Sequence, residues 1–152
     1  MRQFDLGRTS RTVLAVLFLG AHAVVVPSAQ AAPAGVPDSF VGNWYGVGEP
    51  DDMSISYIDA YNADGTFHSE FRKCEGTRVV WSQTETGKWS VANGVLRMTS
   101  DTIDGKPDHF DNFYTIEQST PIEFHARLQN PDFLFIEKRI DKFEFPPCYV
   151  GA

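Results

Sequence analysis

Residues 53–71 read MSISYIDAYNADGTFHSEF, which is two runs of alternating residues joined by a turn. Successive side chains of an extended chain point to opposite faces, so each run places its large apolar residues on one side. The Asp-Gly pair at 64–65 tolerates positive φ and lets the chain reverse, after which Phe67 and Phe71 share a face. The stretch therefore predicts a β-hairpin.

The same pattern continues to the C-terminal side. Asn93-Gly94 is a second hairpin signal, and Gly87 predicts a bend within one long strand over residues 78–91. We count about eight or nine strands joined by short turns, with no window of helical period. Closing such a sheet removes both of its edges. The predicted fold is all-β, a small antiparallel up-and-down β-barrel.

The N-terminus has the layout of a secretory signal. Three arginines precede an apolar run over residues 13–26, and small residues before Ala32 predict cleavage between Ala31 and Ala32. We therefore expect a signal peptide over 1–31, a flexible leader over 32–38 rich in Pro and small residues, and one barrel domain over 39–152. The expected location is the periplasm or the extracellular space, with no membrane anchor after cleavage.

Charge limits the class of partner. The formal charge is −7, and removal of residues 1–31 makes it −9. An acidic surface repels phosphate backbones, and the sequence contains no basic stretch interleaved with aromatic residues, so we expect no nucleic-acid partner. The sequence gives no signal for an oligomeric state.

The chain has two cysteines, Cys74 and Cys148, and both follow the predicted cleavage site. An even number of cysteines in an oxidising compartment predicts a disulfide. The bond would fasten a C-terminal tail that contains Pro146-Pro147. A redox-active pair would need close thiols, usually as C-x-x-C, and this spacing does not favour it.

Catalytic and metal-binding motifs are absent from the sequence. His68, His109 and His125 have no spacing typical of metal ligands and fall opposite the main apolar residues, and most carboxylates fall in predicted turns. No nucleophile elbow or phosphate-binding loop is present. We expect no metal and no cofactor, and a binding protein rather than an enzyme.

Aromatic residues dominate the predicted inner faces, where they either fill the core or line a pocket. The group comprises Tyr57, Tyr61, Phe67, Phe71, Tyr114, Phe124, Phe133 and Phe135. All of these except Phe133, together with Asp59, are candidate ligand contacts. Asp59 shares the apolar face of Tyr57 and Tyr61. If this face points inward, Asp59 is a buried carboxylate that needs a partner. We expect instead that a register slip or a bulge turns Asp59 outward.

Gly42-Asn43-Trp44-Tyr45 opens the first predicted strand, and a G-x-W motif at this place resembles the lipocalins and the wider calycin superfamily. The resemblance covers most of residues 40–140 and is nearest to short bacterial lipocalin-like domains. It implies that Trp44 closes one end of the barrel under a basic residue, for which Arg139 is the match. The Thr-Asp-Tyr motif and the helix after the barrel have no clear counterpart. The first strand also resembles avidin-type barrels, and the periplasmic metalloprotease inhibitors share this small disulfide-bonded architecture.

Three functions are consistent with this reading. The first is binding of a small apolar or amphipathic molecule inside the barrel. The second is a protein-interaction or protease-inhibitor module whose leader over 32–38 enters a partner's cleft. The third is an enzyme acting on a bound apolar substrate, in which Asp59 would be the first residue to mutate.

Overall fold

The computed structural model describes residues 39–149, and this part of the chain forms nine β-strands. Within these residues there is no helix that is long and apolar enough to cross a bilayer. The predicted signal peptide, its cleavage site at Ala31 and Ala32 and the leader lie outside the described residues. The strands are β1 (Gly42–Glu49), β2 (Asp52–Tyr61), β3 (Thr66–Glu75), β4 (Arg78–Ala92), β5 (Val95–Ile103), β6 (Lys106–Pro107), β7 (Asp111–Ser119), β8 (Glu123–Gln129) and β9 (Asp132–Ile140).

Eight of the strands close into an antiparallel barrel. Strands β1 to β5 pair in chain order, β5 pairs with β7, and β7, β8 and β9 again pair in order until β9 meets β1. The two-residue strand β6 adds to β5 outside this ring. The prediction of an all-β, up-and-down barrel is confirmed.

The turn at residues 93–94 and the bend at residue 87 form where the sequence predicts them. Asn93 and Gly94 have φ values of 52° and 75° in the turn between β4 and β5, as a two-residue hairpin turn requires. Gly87 marks a register shift in β4 where it crosses β5. A Cβ at Gly87 would collide with the Thr99 carbonyl oxygen, so the bend needs glycine.

The inner face of β1 divides the barrel interior into two halves. Trp44, Gly46 and Gly48 are its three buried positions. Trp44 fills one end completely, whereas the two glycines place no side chain above it. The interior is therefore solid around Trp44 and has room for other groups next to Gly46 and Gly48.

The solid half is an aromatic core. The Trp44 ring meets Phe124 edge-on at 4.7 Å between centroids, and its Nε1 donates a hydrogen bond to the Phe40 carbonyl at 2.8 Å. Burial of such rings supplies most of the hydrophobic stabilisation in a domain of this size. The buried cluster consists of Phe40, Trp44, Tyr61, Phe67, Trp89, Val91, Leu96, Met98, Phe124 and Ala126.

Arg139 seals this end of the barrel. It pairs with Trp44 in the β1–β9 register, and its guanidinium carbon lies 4.2 Å from the centre of the Trp44 ring. The guanidinium also donates hydrogen bonds to the backbone carbonyls of Ser39, Val41 and Pro121. One side chain thus joins the entry to β1, the β7–β8 connection and the core tryptophan, and it is where the resemblance places a basic residue.

Beyond β9, residues 141–149 cross the outside of the barrel. Phe143 packs against His68 with ring centroids 5.1 Å apart, and Phe145 lies under the Arg72 guanidinium at 4.1 Å. Cys148 is bonded to Cys74 on β3, with Cα atoms 5.8 Å apart. The disulfide therefore fastens this segment against the outer face of β3.

We predict that Arg139→Lys lowers the free energy of unfolding by about 1 to 3 kcal/mol, because one ammonium cannot reach three carbonyls and cover the ring together. Denaturant titration followed by tryptophan fluorescence measures the change. The control is Arg127→Lys, which alters an outer-face ion pair with Glu117 and Asp132. Equal losses in the two variants would contradict a special role for Arg139.

We predict that replacing both cysteines by serine lowers the free energy of unfolding by about 4 kcal/mol, as loop closure over a separation of 74 residues implies. Thermal denaturation measures the effect, and the barrel should still fold because the strand pairing does not involve the bond. Mass spectrometry with and without reductant checks the bond itself. Two free thiols in the unreduced protein would refute it.

Candidate functional site

A cavity of about 380 Å³ lies in the part of the barrel above the aromatic core, and Glu49 is the residue of β1 that lines it. Six of the predicted contact residues line it: Tyr57, Asp59, Tyr61, Phe71, Tyr114 and Phe135. Phe67 and Phe124 lie instead in the core cluster beneath it. Phe133 packs edge-on against Phe135 at 4.7 Å and is not part of the wall.

Asp59 faces inward, so the expected outward turn is wrong. The β1–β2 and β2–β3 registers run without interruption through this residue, and Asp59 is only 4% exposed. Tyr57, Asp59 and Tyr61 therefore keep the strict alternation of an undistorted strand. The carboxyl group projects into the cavity.

Three further carboxyl groups line the cavity, and none of them is among the site residues predicted from the sequence. Glu137 follows Phe135 at the next inward position of β9, Glu85 lies on the inward side of β4, and Glu49 ends β1. In the sequence alone, each of these residues resembles a glutamate that is exposed to solvent. The signal that could have revealed Glu137 is its even spacing from Phe133 and Phe135, because residues two apart on a strand share a face.

Gly46 brings the polar groups of the cavity together. Its neighbour on β2 is Tyr57, and its neighbour on β9 is Glu137. A Cβ at Gly46 would collide with the Tyr57 ring. Without one, the tyrosine lies across β1 toward Glu137.

Asp59 and Glu137 form a buried carboxyl pair. Burial raises the pKa of Asp59 to about 7, the charge of Glu85 adds to this, and the adjacent Ser69 hydroxyl and Glu137 carboxyl oppose it. Burial raises the pKa of Glu137 well above its usual value, and the charges of Asp59 and Glu49 raise it further. Two carboxyl groups this close in a dry site retain a proton between them near neutral pH.

The other two carboxyl groups lie nearer the mouth. Burial raises the pKa of Glu49 to about 7, with further contributions from the charges of Asp59, Glu85 and Asp51. Burial also raises the pKa of Glu85, as do the charges of Asp108 and Asp104. Every charge that acts on these four groups is itself an acidic group.

Two polar atoms in the wall of the cavity have no internal partner. Tyr57 Oη and Glu137 Oε2 are buried without a hydrogen bond from any residue of the described chain. Such atoms ordinarily cost free energy unless water or a ligand satisfies them. The wall of the cavity therefore contains hydrogen-bonding groups that the described chain leaves unused.

Aromatic rings form another part of the wall. Phe135 meets Tyr57 and Tyr114 edge-on with centroids 6.0 Å and 5.5 Å apart, and Tyr57 lies 5.9 Å from Phe71. Burial raises the pKa of the Tyr57, Tyr61 and Tyr114 phenols, so all three stay neutral at physiological pH. The cavity thus combines ring faces with carboxyl groups.

Within residues 39–149 no group of three or more His, Cys, Asp or Glu side chains is placed to hold a metal ion. The three histidines of residues 39–149 lie outside the cavity wall: His68 lies beside Glu70, His125 beside Glu123, and His109 is exposed. The site as built suits a small organic molecule.

Comparison of the sequence with protein-family models and with curated proteins finds no match. The closed eight-stranded barrel is compatible with a lipocalin-like fold.

We predict that the protein becomes less stable as pH rises from about 4 to about 7. Groups whose pKa folding raises bind more protons in the folded chain than in the unfolded chain across this window, so the free energy of unfolding falls with pH. Above about pH 7 the contributions of Glu49 and Asp59 to this loss should level off. Denaturant titrations at a series of pH values measure the slope.

The matched pair for this test is Glu137→Gln and Glu75→Gln, the latter exposed at the end of β3. The first variant should flatten the slope and raise the free energy of unfolding by about 1 to 3 kcal/mol at neutral pH, because folding no longer has to take up a proton or bury a charge at this position. The second should retain the slope of the parent protein. Parallel slopes for all three proteins would show that the buried pair does not control the pH dependence.

Proposed function

We propose that this chain is an exported, calycin-like barrel protein that binds a small amphipathic molecule inside the barrel. The observation that carries the proposal is the cavity of about 380 Å³. Small-molecule sites commonly enclose about 300 to 1,000 Å³ and place a few polar groups among apolar walls. The wall of this cavity has that composition.

An unfilled cavity in a small barrel lowers the free energy of unfolding, because side chains that filled it would add van der Waals contacts. The buried polar atoms without partners lower it further. A ligand that contacts the rings and satisfies those atoms would offset both losses. The arrangement therefore supports binding better than a purely structural role.

Export is supported by the signal-like N-terminal sequence and by the bonded pair Cys74 and Cys148. Disulfides persist in oxidising compartments and are rare in the cytosol. N-terminal sequencing of the protein from its own cells tests this part, and the expected first residue is Ala32.

We predict that the protein binds N-phenyl-1-naphthylamine, a neutral fluorophore whose emission rises in apolar surroundings, and that Ser69→Phe weakens this binding by about tenfold or more. Ser69 lines the cavity, so a phenyl ring there would occupy part of the ligand's space. Fluorescence titration measures the affinity, and circular dichroism checks the fold.

The control is Ser82→Phe, which makes the same substitution on the exposed, outward side of β4. It should leave the affinity for the fluorophore unchanged. Native mass spectrometry of protein purified from its own cells provides an independent readout. A parent protein that neither binds the fluorophore nor carries a co-purified molecule would overturn the proposed function.

A further inference from the structure

The cavity is acidic without any compensating base. Glu49, Asp59, Glu85 and Glu137 line it, and no Lys, Arg or His of residues 39–149 does so. Asp52, one of the lining residues, is paired with Lys73 at 2.8 Å, and Glu85 accepts a hydrogen bond from Gln83 at 2.8 Å. A buried carboxylate is compensated best by a positive charge, and none of the described lining residues supplies one.

Two unsatisfied atoms belong to residues that line the same space. Glu137 is 4% exposed and Tyr57 2%, and each has a polar atom without a hydrogen bond within the described chain. Glu137 Oε2, once ionised, only accepts hydrogen bonds. Its complement in a ligand is a donor, and a charged donor satisfies it best.

The rings favour the same ligand chemistry. Tyr57, Tyr114 and Phe135 line the same cavity as the carboxyl pair, and the Phe135 ring centroid lies 6.0 Å from that of Tyr57 and 5.5 Å from that of Tyr114. Aromatic faces attract cations, most strongly where water is excluded, and aromatic cages recognise substituted ammonium groups in this way. A site that combines ring faces with carboxylates has two independent reasons to prefer positive charge.

Other ligand classes fit less well. An anionic amphipath such as a fatty acid would meet four carboxyl groups, and a neutral apolar molecule would supply no positive charge to Asp59 and Glu137 once they ionise. A bare metal ion would need a cluster of ligands that residues 39–149 do not provide. The rim carries Asp51 and Asp52, so the field at the mouth also attracts cations.

We propose that the cavity binds a small organic cation, a protonated amine or a substituted ammonium with an apolar body, whose charged nitrogen lies between Asp59 and Glu137. The apolar body contacts Tyr57, Tyr114 and Phe135. This inference rests on the proposed ligand-binding function and names the chemical class of the ligand.

The test compares three probes of nearly equal shape by isothermal titration calorimetry at pH 8: tryptamine, which is cationic, 3-ethylindole, which is neutral, and indole-3-propionate, which is anionic. Tryptamine should bind about tenfold or more tightly than 3-ethylindole, and the anion most weakly. If the naphthylamine fluorophore binds but tryptamine shows no advantage over 3-ethylindole, the inference is overturned and the proposed function stands. If neither the fluorophore nor any of the indoles binds, the proposed function itself fails.

Variants locate the charged contact. Glu137→Gln and, independently, Asp59→Asn should reduce the ratio of tryptamine affinity to 3-ethylindole affinity by about tenfold, while Glu75→Gln leaves that ratio unchanged. Both cavity variants keep the size and shape of the side chain, and circular dichroism checks their fold. An unaltered ratio in both would overturn the placement of the nitrogen.

The preference for tryptamine should also fall between pH 8 and pH 5, because the carboxyl groups that attract the cation become protonated. A pH-independent preference would contradict the inference. The titratable and charged groups at the site are Glu49 on β1, Tyr57, Asp59 and Tyr61 on β2, Glu85 on β4, Tyr114 on β7 and Glu137 on β9, with Asp51, Asp52 and Lys73 at the rim.

Discussion

The alternation of Trp44, Gly46 and Gly48 on β1 is the constraint on which the interior of this protein depends. The tryptophan fills one end of the barrel and is covered by Arg139, whose hydrogen bonds hold the surrounding backbone. Two residues further along the strand no side chain exists, and the neighbouring strands supply Tyr57 and Glu137 to that space. One strand therefore determines both the core and the cavity, because its side chains alternate between the two faces.

Stability alone would favour filling the end of the barrel that contains the cavity, whereas the proposed binding requires that space. A barrel selected for stability alone would fill the space with aliphatic side chains and contain no unpaired carboxyl group. Here Asp59 and Glu137 are buried together, and burial raises the pKa of both. Local destabilisation of this kind is typical of binding sites, where a ligand supplies the missing interactions. The aromatic end, the Arg139 contacts and the disulfide provide the stability that such a site requires.

Much of the fold could be predicted from the sequence, whereas the site could be predicted only in part. The hairpin at Asn93-Gly94 and the bend at Gly87 depend on the local chemistry of a few residues, so they were readable directly. The aromatic candidates were also identifiable, but the sequence did not separate Phe67 and Phe124, which pack the core, from Phe71 and Phe135, which line the cavity. Whether a residue packs in the core or lines the cavity depends on its position along the barrel axis. The closure of the sheet determines that position.

By itself the sequence determined the class of the fold, the strand order, the place of the bend and the pairing of the only two cysteines, because turn residues and alternation act over short distances. Only the tertiary structure decided that Glu49, Asp59, Glu85 and Glu137, from four strands, face one cavity. Their spacing along the chain is unremarkable. The closure of the barrel brings them together, and burial there raises the pKa of all four carboxyl groups.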